Sequence, residues 1–396
     1  MSNLNQTPKS ERLHIVILGK RNVGKSSLIN VITGQDAALV SDIAGTTTDP
    51  VIKAMEVHLI GPCVFVDTAG FDDTGELGLM RVEKTKQALQ TADIAVMVFA
   101  DDDIESALPW IEDIKKASIP VLAVVNKCDI NADYSDIRQI IENTFDIHTV
   151  EVNAKTGQGI DGIKSALVRL MPKDFEPSSI AGHLVSPKDV VLLVMPQDIQ
   201  APKGRLILPQ VQAIRDLLDN KCIVISATTD NMQDAIDALK QPPKLIITDS
   251  QVFSYVYEHK PQDSLITSFS TLFARYKGDI NAFVDGANAI ERLQPTDKVL
   301  IAEACTHAPL GEDIGRVKLP RMLRAKAGDE LTVDIVSGND FSSDLSQYAL
   351  IIHCGACMFN RRYVLARVEQ AKLQGVPITN YGIAIAKLGG ILDKIV

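Results

Sequence analysis

Short, continuously apolar runs rich in β-branched residues recur along the whole chain. "HIVILG", "CVFVDT", "IAVMVFA" and "PVLAVVN" come first, then "VVLLVMP", "CIVISAT" and "KLIITDS", and last "KVLIAEA", "LTVDIVS" and "ALIIHC". Between them lie helical patterns such as "VQAIRDLLDN". Strands apolar at every position, and not only at alternate ones, are buried on both faces, which is how parallel strands joined by crossover helices read. The pattern predicts an α/β protein throughout, with mainly parallel sheets. It is interrupted most clearly at "MPKDFEPSSIAGH", residues 171–183, where two prolines, serines and a glycine break the periodicity. A second break falls near "EHKPQDS", residues 258–264. Three domains are expected, 1–172, 184–262 and 263–396, in keeping with a length of 396 residues.

Composition narrows the class. A hydrophobic fraction of 46% and a charged fraction of 23% belong to a globular chain, and no apolar run approaches the length of a membrane span. The polar start "MSNLNQTPKSERLH" lacks the apolar core of a secretory signal, so a cytoplasmic location and reduced thiols are expected. Most of the net charge of −10 sits early: 1–172 has 16 basic and 24 acidic residues, the remainder 24 and 26. Neither part carries the basic excess that phosphate-backbone binding calls for, so no nucleic-acid partner is expected.

The first strand leads into "GKRNVGKSS", that is Gly19, four residues, then Gly24, Lys25, Ser26 and Ser27 before a helix. Glycines there let backbone N–H groups, Val23 among them, curl round phosphate oxygens. Lys25 supplies a cation, and the Ser26 hydroxyl suits Mg²⁺. "NKCD" follows a later strand: Asp129 can accept from N1–H and the 2-amino group of guanine, where adenine would leave it without donors. Lys127 packs along the base, Asn126 ties the loop to the phosphate loop, and "NAK" (Asn153, Ala154, Lys155) offers the Ala154 N–H to guanine O6. The base is therefore read as guanine. "GTTTDP" supplies a mobile threonine for Mg²⁺ and γ-phosphate, and "DTAG" supplies Asp67 and the Gly70 N–H.

Together these motifs resemble the P-loop GTPases of the MnmE, Era and Der group. By that resemblance Thr47 is the Mg²⁺ ligand, with Thr46 and Thr48 as alternates. Phe71 stands where Ras-like proteins carry a water-orienting glutamine, so another group must fill that role. The resemblance implies a K⁺ ion held in part by Asn22, and Glu76 as the residue that positions water.

Of six cysteines, Cys63, Cys128 and Cys222 read as packing residues. Cys305 in "VLIAEACTH" and Cys354 and Cys357 in "ALIIHCGAC" lie at or just beyond the ends of apolar strands, where open parallel sheets hold their binding crevices. With His307 and His353 as further donors, the set permits a Cys3His zinc site or a 4Fe-4S cluster with one exchangeable iron. Spacing leaves both open. An RNA-directed GTPase would call for a basic module with a GxxG clamp, which is missing; a zinc-stabilised regulatory G protein fits the same ligands.

Cys305-x-His307 and His353-Cys354-x-x-Cys357 behind such a GTPase domain resemble the HydF family, the maturation GTPases of FeFe-hydrogenases. That resemblance covers the full chain and implies a middle dimerisation domain, hence a homodimer, and a C-terminal domain binding a 4Fe-4S cluster through the three cysteines. It further implies a diiron precursor received with the radical-SAM maturases HydE and HydG and passed to the apo-hydrogenase HydA, with GTP as a switch.

Overall fold

The computed structural model describes residues 8–34, 50–72, 75–129, 134–172, 175, 179–197, 206–304, 313–338 and 340–395, the side chains of 75–77 excepted. The chain forms two compact units, Met1–Pro177 and Ser178–Val396.

In the first unit six strands, β1 (Leu13–Gly19), β2 (Val51–Val57), β3 (Gly61–Asp67), β4 (Ile94–Phe99), β5 (Val121–Val125) and β6 (Thr149–Glu151), line up in the order β2-β3-β1-β4-β5-β6. Every pairing is parallel except that of β2 with β3. Because helices cover both faces, β1 is buried on both: Ile15 and Ile17 pack with Phe65 on one side, Val16 and Leu18 with Met97 on the other. This explains why the strand reads as one apolar run, each such side chain contributing about 1.5–3 kcal/mol on burial. β1 lies between β3 and β4, so the chain reverses its direction of winding there, and its carboxyl end opens into the crevice where ligands bind in such sheets. The pairing of Ile17 with Asp67 brings the end of β3 alongside the loop that follows β1.

The second unit holds two further parallel sheets. β7 (Val190–Val194), β8 (Ile223–Ala227), β9 (Leu245–Thr248) and β10 (Leu265–Ser268) run in the order β10-β9-β7-β8. β11 (Lys298–Glu303), β12 (Thr332–Ser337), β13 (Leu350–His353) and β14 (Ile378–Asn380) run in the order β12-β11-β13-β14. The fold class is α/β, as the apolar runs predict. The break expected at 258–264 does not end the middle sheet, since β10 follows it and pairs with β9. Spacing could not reveal this, because a proline-containing turn inside a sheet looks like a linker.

The helix Phe269–Lys277 leaves β10 with the Ser268 hydroxyl accepting from the Thr271 N–H, an N-cap. It faces two ways: Phe269, Leu272 and Phe273 enter the core of the middle sheet, while Ala274 enters that of the last sheet. From the other side, Ala386 and Ile391 of the last module pack with Leu192, Val194 and Ile246. The two sheets of this unit thus share side-chain packing. Among the described residues no helix is long and apolar enough to cross a membrane.

Candidate functional site

The nucleotide loops converge at the carboxyl ends of β1, β3 and β5. Gly24 has φ 95°, and a Cβ there would lie 2.3 Å from Asn126 Nδ2, so only glycine lets the phosphate loop close onto the "NKCD" loop. Asn126, 2% exposed, is the joint. Its Nδ2 donates to the Val23 carbonyl at 2.8 Å and its Oδ1 accepts from the Ala154 N–H at 3.0 Å. One buried amide therefore fastens three loops. The Ala154 N–H, expected to face guanine O6, donates here to the Asn126 side chain. Asn153, also buried, shapes the third loop by accepting from the Lys155 and Thr156 N–H groups. Lys127 holds a left-handed backbone (φ 63°), and Asp129 is exposed to solvent where a base edge would reach it.

On the phosphate side, Lys25 is buried and donates to the carbonyls of Gly19 and Lys20. The Ser26 hydroxyl donates to Asp67 Oδ2 at 2.5 Å, bringing together the two groups expected around Mg²⁺. Burial raises the Asp67 pKa, opposed by that hydroxyl and by the Lys25 and Lys53 cations. Asn22 and Ser27 are exposed at the rim, Asn22 with φ 59°. Thr46, Thr47 and Thr48 lie outside the described residues. So does the side chain of Glu76, whose backbone is in the helix Gly75–Leu89.

Gly70 is packed so closely that a Cβ would come within 2.5 Å of Arg21 Cγ and 2.6 Å of Asp72 Oδ1. Asp72 was not singled out from sequence: its carboxylate accepts from the Arg21 N–H at 2.7 Å and links the "DTAG" segment to the phosphate loop. Phe71 stacks on Trp110 with ring centroids 5.8 Å apart, which takes it out of the phosphate site.

A second site lies in the other unit. β13 ends at His353, which pairs with Ala302 of β11, and the Cys354 N–H donates to the Ala302 carbonyl at 2.9 Å. Cys354 Sγ accepts from the Ala304 N–H at 3.0 Å and from the Ala356 N–H at 3.4 Å. Ala356 is buried with φ 43°, a left-handed turn that aims its amide back at the sulfur. Burial raises the Cys354 pKa; the two amides and the Arg367 cation oppose this, and Cys357 adds to it. Cys305 and His307 lie outside the described residues, but Cys305 directly follows Ala304, whose amide already touches the Cys354 sulfur. Among the described residues no three His, Cys, Asp or Glu side chains cluster as a metal site.

The His353 ring is engaged within the protein. It is buried, Nδ1 donates to the Cys354 carbonyl at 2.6 Å, and Nε2 accepts from Arg367 at 3.0 Å. Both ring nitrogens are thus used, and burial with the adjacent Arg367 pushes its pKa down to about 3. The strand pairing that fixes Cys354 turns the preceding side chain, that of His353, into the core. Arg367, 3% exposed, stacks between Phe341 and Tyr363 and donates to the Gly338 carbonyl. Its Nε lacks a hydrogen-bond partner, as does the buried Tyr381 hydroxyl, which interacts electrostatically with Cys354. Soft thiols, inward amides and a buried cation suit an anionic sulfur-ligated group.

Comparison with known proteins matches three parts of the chain. Residues 14–127 match the family model described as 50S ribosome-binding GTPase, 180–278 the hydrogen maturase F dimerization domain, and 281–396 the hydrogen maturase F tetramerization domain. GTPase Der of Wolinella succinogenes is 36% identical over 173 residues, 40% of this chain and 36% of that protein. The tRNA modification GTPase MnmE of Endomicrobium trichonymphae is 37% identical over 166 residues, 40% of this chain and 35% of that one. The chain thus spans about a third of the length of these relatives. The crystal structure of a single-substitution variant of Aquifex aeolicus Era bound to GDP.AlF4- covers 57% of this chain and 98% of its own at 20% identity, with a TM-score of 0.35.

Proposed function

This chain belongs to the hydrogen maturase F family, a GTPase domain joined to that family's dimerization and tetramerization domains, and from that premise we propose that it is a GTP-switched scaffold for FeFe-hydrogenase maturation. Its resident group is a 4Fe-4S cluster held by Cys354, Cys357 and Cys305. The observation that carries this reading is the Cys354 sulfur at the end of β13, accepting two backbone amides, one from the residue that precedes Cys305. When bound, the cluster supplies an iron with an open coordination position. The protein's part is to hold thiolates with fixed amides, to lower the cost of negative charge with Arg367, and to close the back of the site with Tyr363 and Phe359, stacked at 4.2 Å. The cargo is a diiron precursor; HydE, HydG and HydA are the partners, and the assembly is at least a homodimer.

In the other unit Lys25 would neutralise the β/γ-phosphates, Ser26 and Thr47 would hold Mg²⁺ with Asp67 behind Ser26, and the Gly70 N–H would contact the γ-phosphate. Asn22 helps to hold K⁺, and Glu76 positions the attacking water. GTP acts as a switch on partner affinity, with Thr46, Thr47 and Thr48 as the residues that sense it.

Alanine at Cys305, Cys354 or Cys357, tested by iron and sulfide content after anaerobic reconstitution, should abolish cluster loading while GTP turnover persists. Full loading in all three variants would reject the ligand set.

A further inference from the structure

The loop between β13 and the helix Arg361–Leu373 is held from behind by a residue of the neighbouring module. Lys277, the last residue of the helix Phe269–Lys277, lies within the region matched by the dimerization domain, some 80 residues from the cysteines. It is 3% exposed, and its Nζ donates to the carbonyls of Cys357 and Phe359, both at 2.9 Å, and of Ala356 at 3.4 Å. The contact is reciprocal. Arg361, at the start of the helix after the loop, donates to the carbonyls of Tyr276 and Gly278 on either side of Lys277. A fourth loop carbonyl, that of Cys354, accepts from His353.

The Ala356 carbonyl that Lys277 holds also accepts from the Phe359 N–H at 3.0 Å, which closes the turn of the loop. Ala356 itself, with φ 43°, directs its own N–H to Cys354 Sγ, so the residue that Lys277 holds at its carbonyl is the one whose amide meets the sulfur. An ammonium group has three N–H donors, and three carbonyls at this spacing fix its position as well as theirs. Burying such a cation is costly unless the surroundings satisfy it, so its place there is structurally specified.

We propose that Lys277 is a positioning residue for the cysteine loop, through which the docking of the dimerization module governs how firmly the loop holds its bound group. The inference rests on the cluster reading for its functional consequence, but its structural half does not. When the helix Phe269–Lys277 shifts, the loop's carbonyls are released, its amides lose their aim, and the thiols lose their fixed spacing. Association of this module with a second copy is thereby felt at the cysteines without any residue of the second copy reaching them.

The test uses the full chain as wild type, Lys277→Met, Lys277→Arg and Arg361→Gln. Hydrogen exchange at the Ala356 and Phe359 amides is measured in metal-free protein, and iron release to a chelator after reconstitution. Lys277→Met should exchange at least tenfold faster at both amides and release iron several-fold faster. Lys277→Arg should recover part of both, and Arg361→Gln should move both in the same direction by less. Wild-type exchange rates in folded Lys277→Met overturn the proposal; if that variant fails to fold, unchanged rates in Arg361→Gln do so. Should wild type itself take up no iron, the cluster reading fails, and the exchange rates alone decide whether Lys277 positions the loop.

Discussion

Asn126→Ala removes the joint between three nucleotide loops, and its cost follows from the contacts. Two side-chain hydrogen bonds are lost, from Nδ2 to Val23 and to Oδ1 from Ala154, at a site 2% exposed. Each buried backbone group left unpaired costs about 1–2 kcal/mol, which sums to about 2–4 kcal/mol. That loss divides between stability of the first unit and nucleotide affinity. Entirely in affinity, it is roughly a 30- to 1000-fold rise in Kd. Trp110, the chain's one tryptophan, is buried in this unit and stacks on Phe71, so its fluorescence follows urea unfolding of this unit. Titration with a fluorescent GDP analogue gives the other share. A combined loss below about 0.5 kcal/mol would refute the claim that Asn126 fastens the loops, since even one net hydrogen bond exceeds it.

Gly70→Ala should leave GDP affinity within about threefold but lower turnover about 100-fold, because the added Cβ meets Arg21 and Asp72 and obstructs a transition-state contact; nearly normal turnover in rapid-quench assays would argue against that role. Replacing K⁺ by Na⁺ should depress GTP hydrolysis, and Asn22→Ala should remove the difference; equal wild-type rates in the two salts would exclude the ion. His14 Nε2 donates to the Lys9 carbonyl at 2.9 Å, and burial lowers its pKa. The unfolded chain therefore takes up a proton near pH 6.5 that the folded chain resists, so the first unit loses stability as pH falls through that range. His14→Gln should flatten this slope in urea titrations between pH 7 and 5; an unchanged slope would assign it to other groups.

What could be read along the chain was local. Gly19 to Ser26, "NKCD" and "DTAG" carry their geometry in their spacing, because a phosphate loop or a base-reading loop is made by consecutive backbone groups. The sheets were legible because strands buried on two faces have no polar positions. Contacts across sequence were not. Nothing near Lys277 announces that it will reach Cys357, and nothing in "FDD" distinguishes Asp72 as the partner of Arg21. A histidine beside a cysteine is a chemically apt donor, while the orientation of His353 depends on strand pairing with β11 and on Arg367, both set by tertiary structure. The place of β10 in the middle sheet is hidden for a similar reason: a turn with Pro261 precedes it, and only its pairing with β9 shows where it belongs.

At the centre stands the proposed iron-sulfur cluster on the thiols at the end of β13, in a chain that also carries a GTPase domain. Its most direct test is the EPR spectrum of the full chain, reconstituted anaerobically and reduced with dithionite, beside Cys354→Ala. A reduced cubane signal in the wild type that vanishes in the variant, with GTP turnover unchanged, is the predicted result. A wild-type chain that stays silent and carries stoichiometric zinc would contradict it.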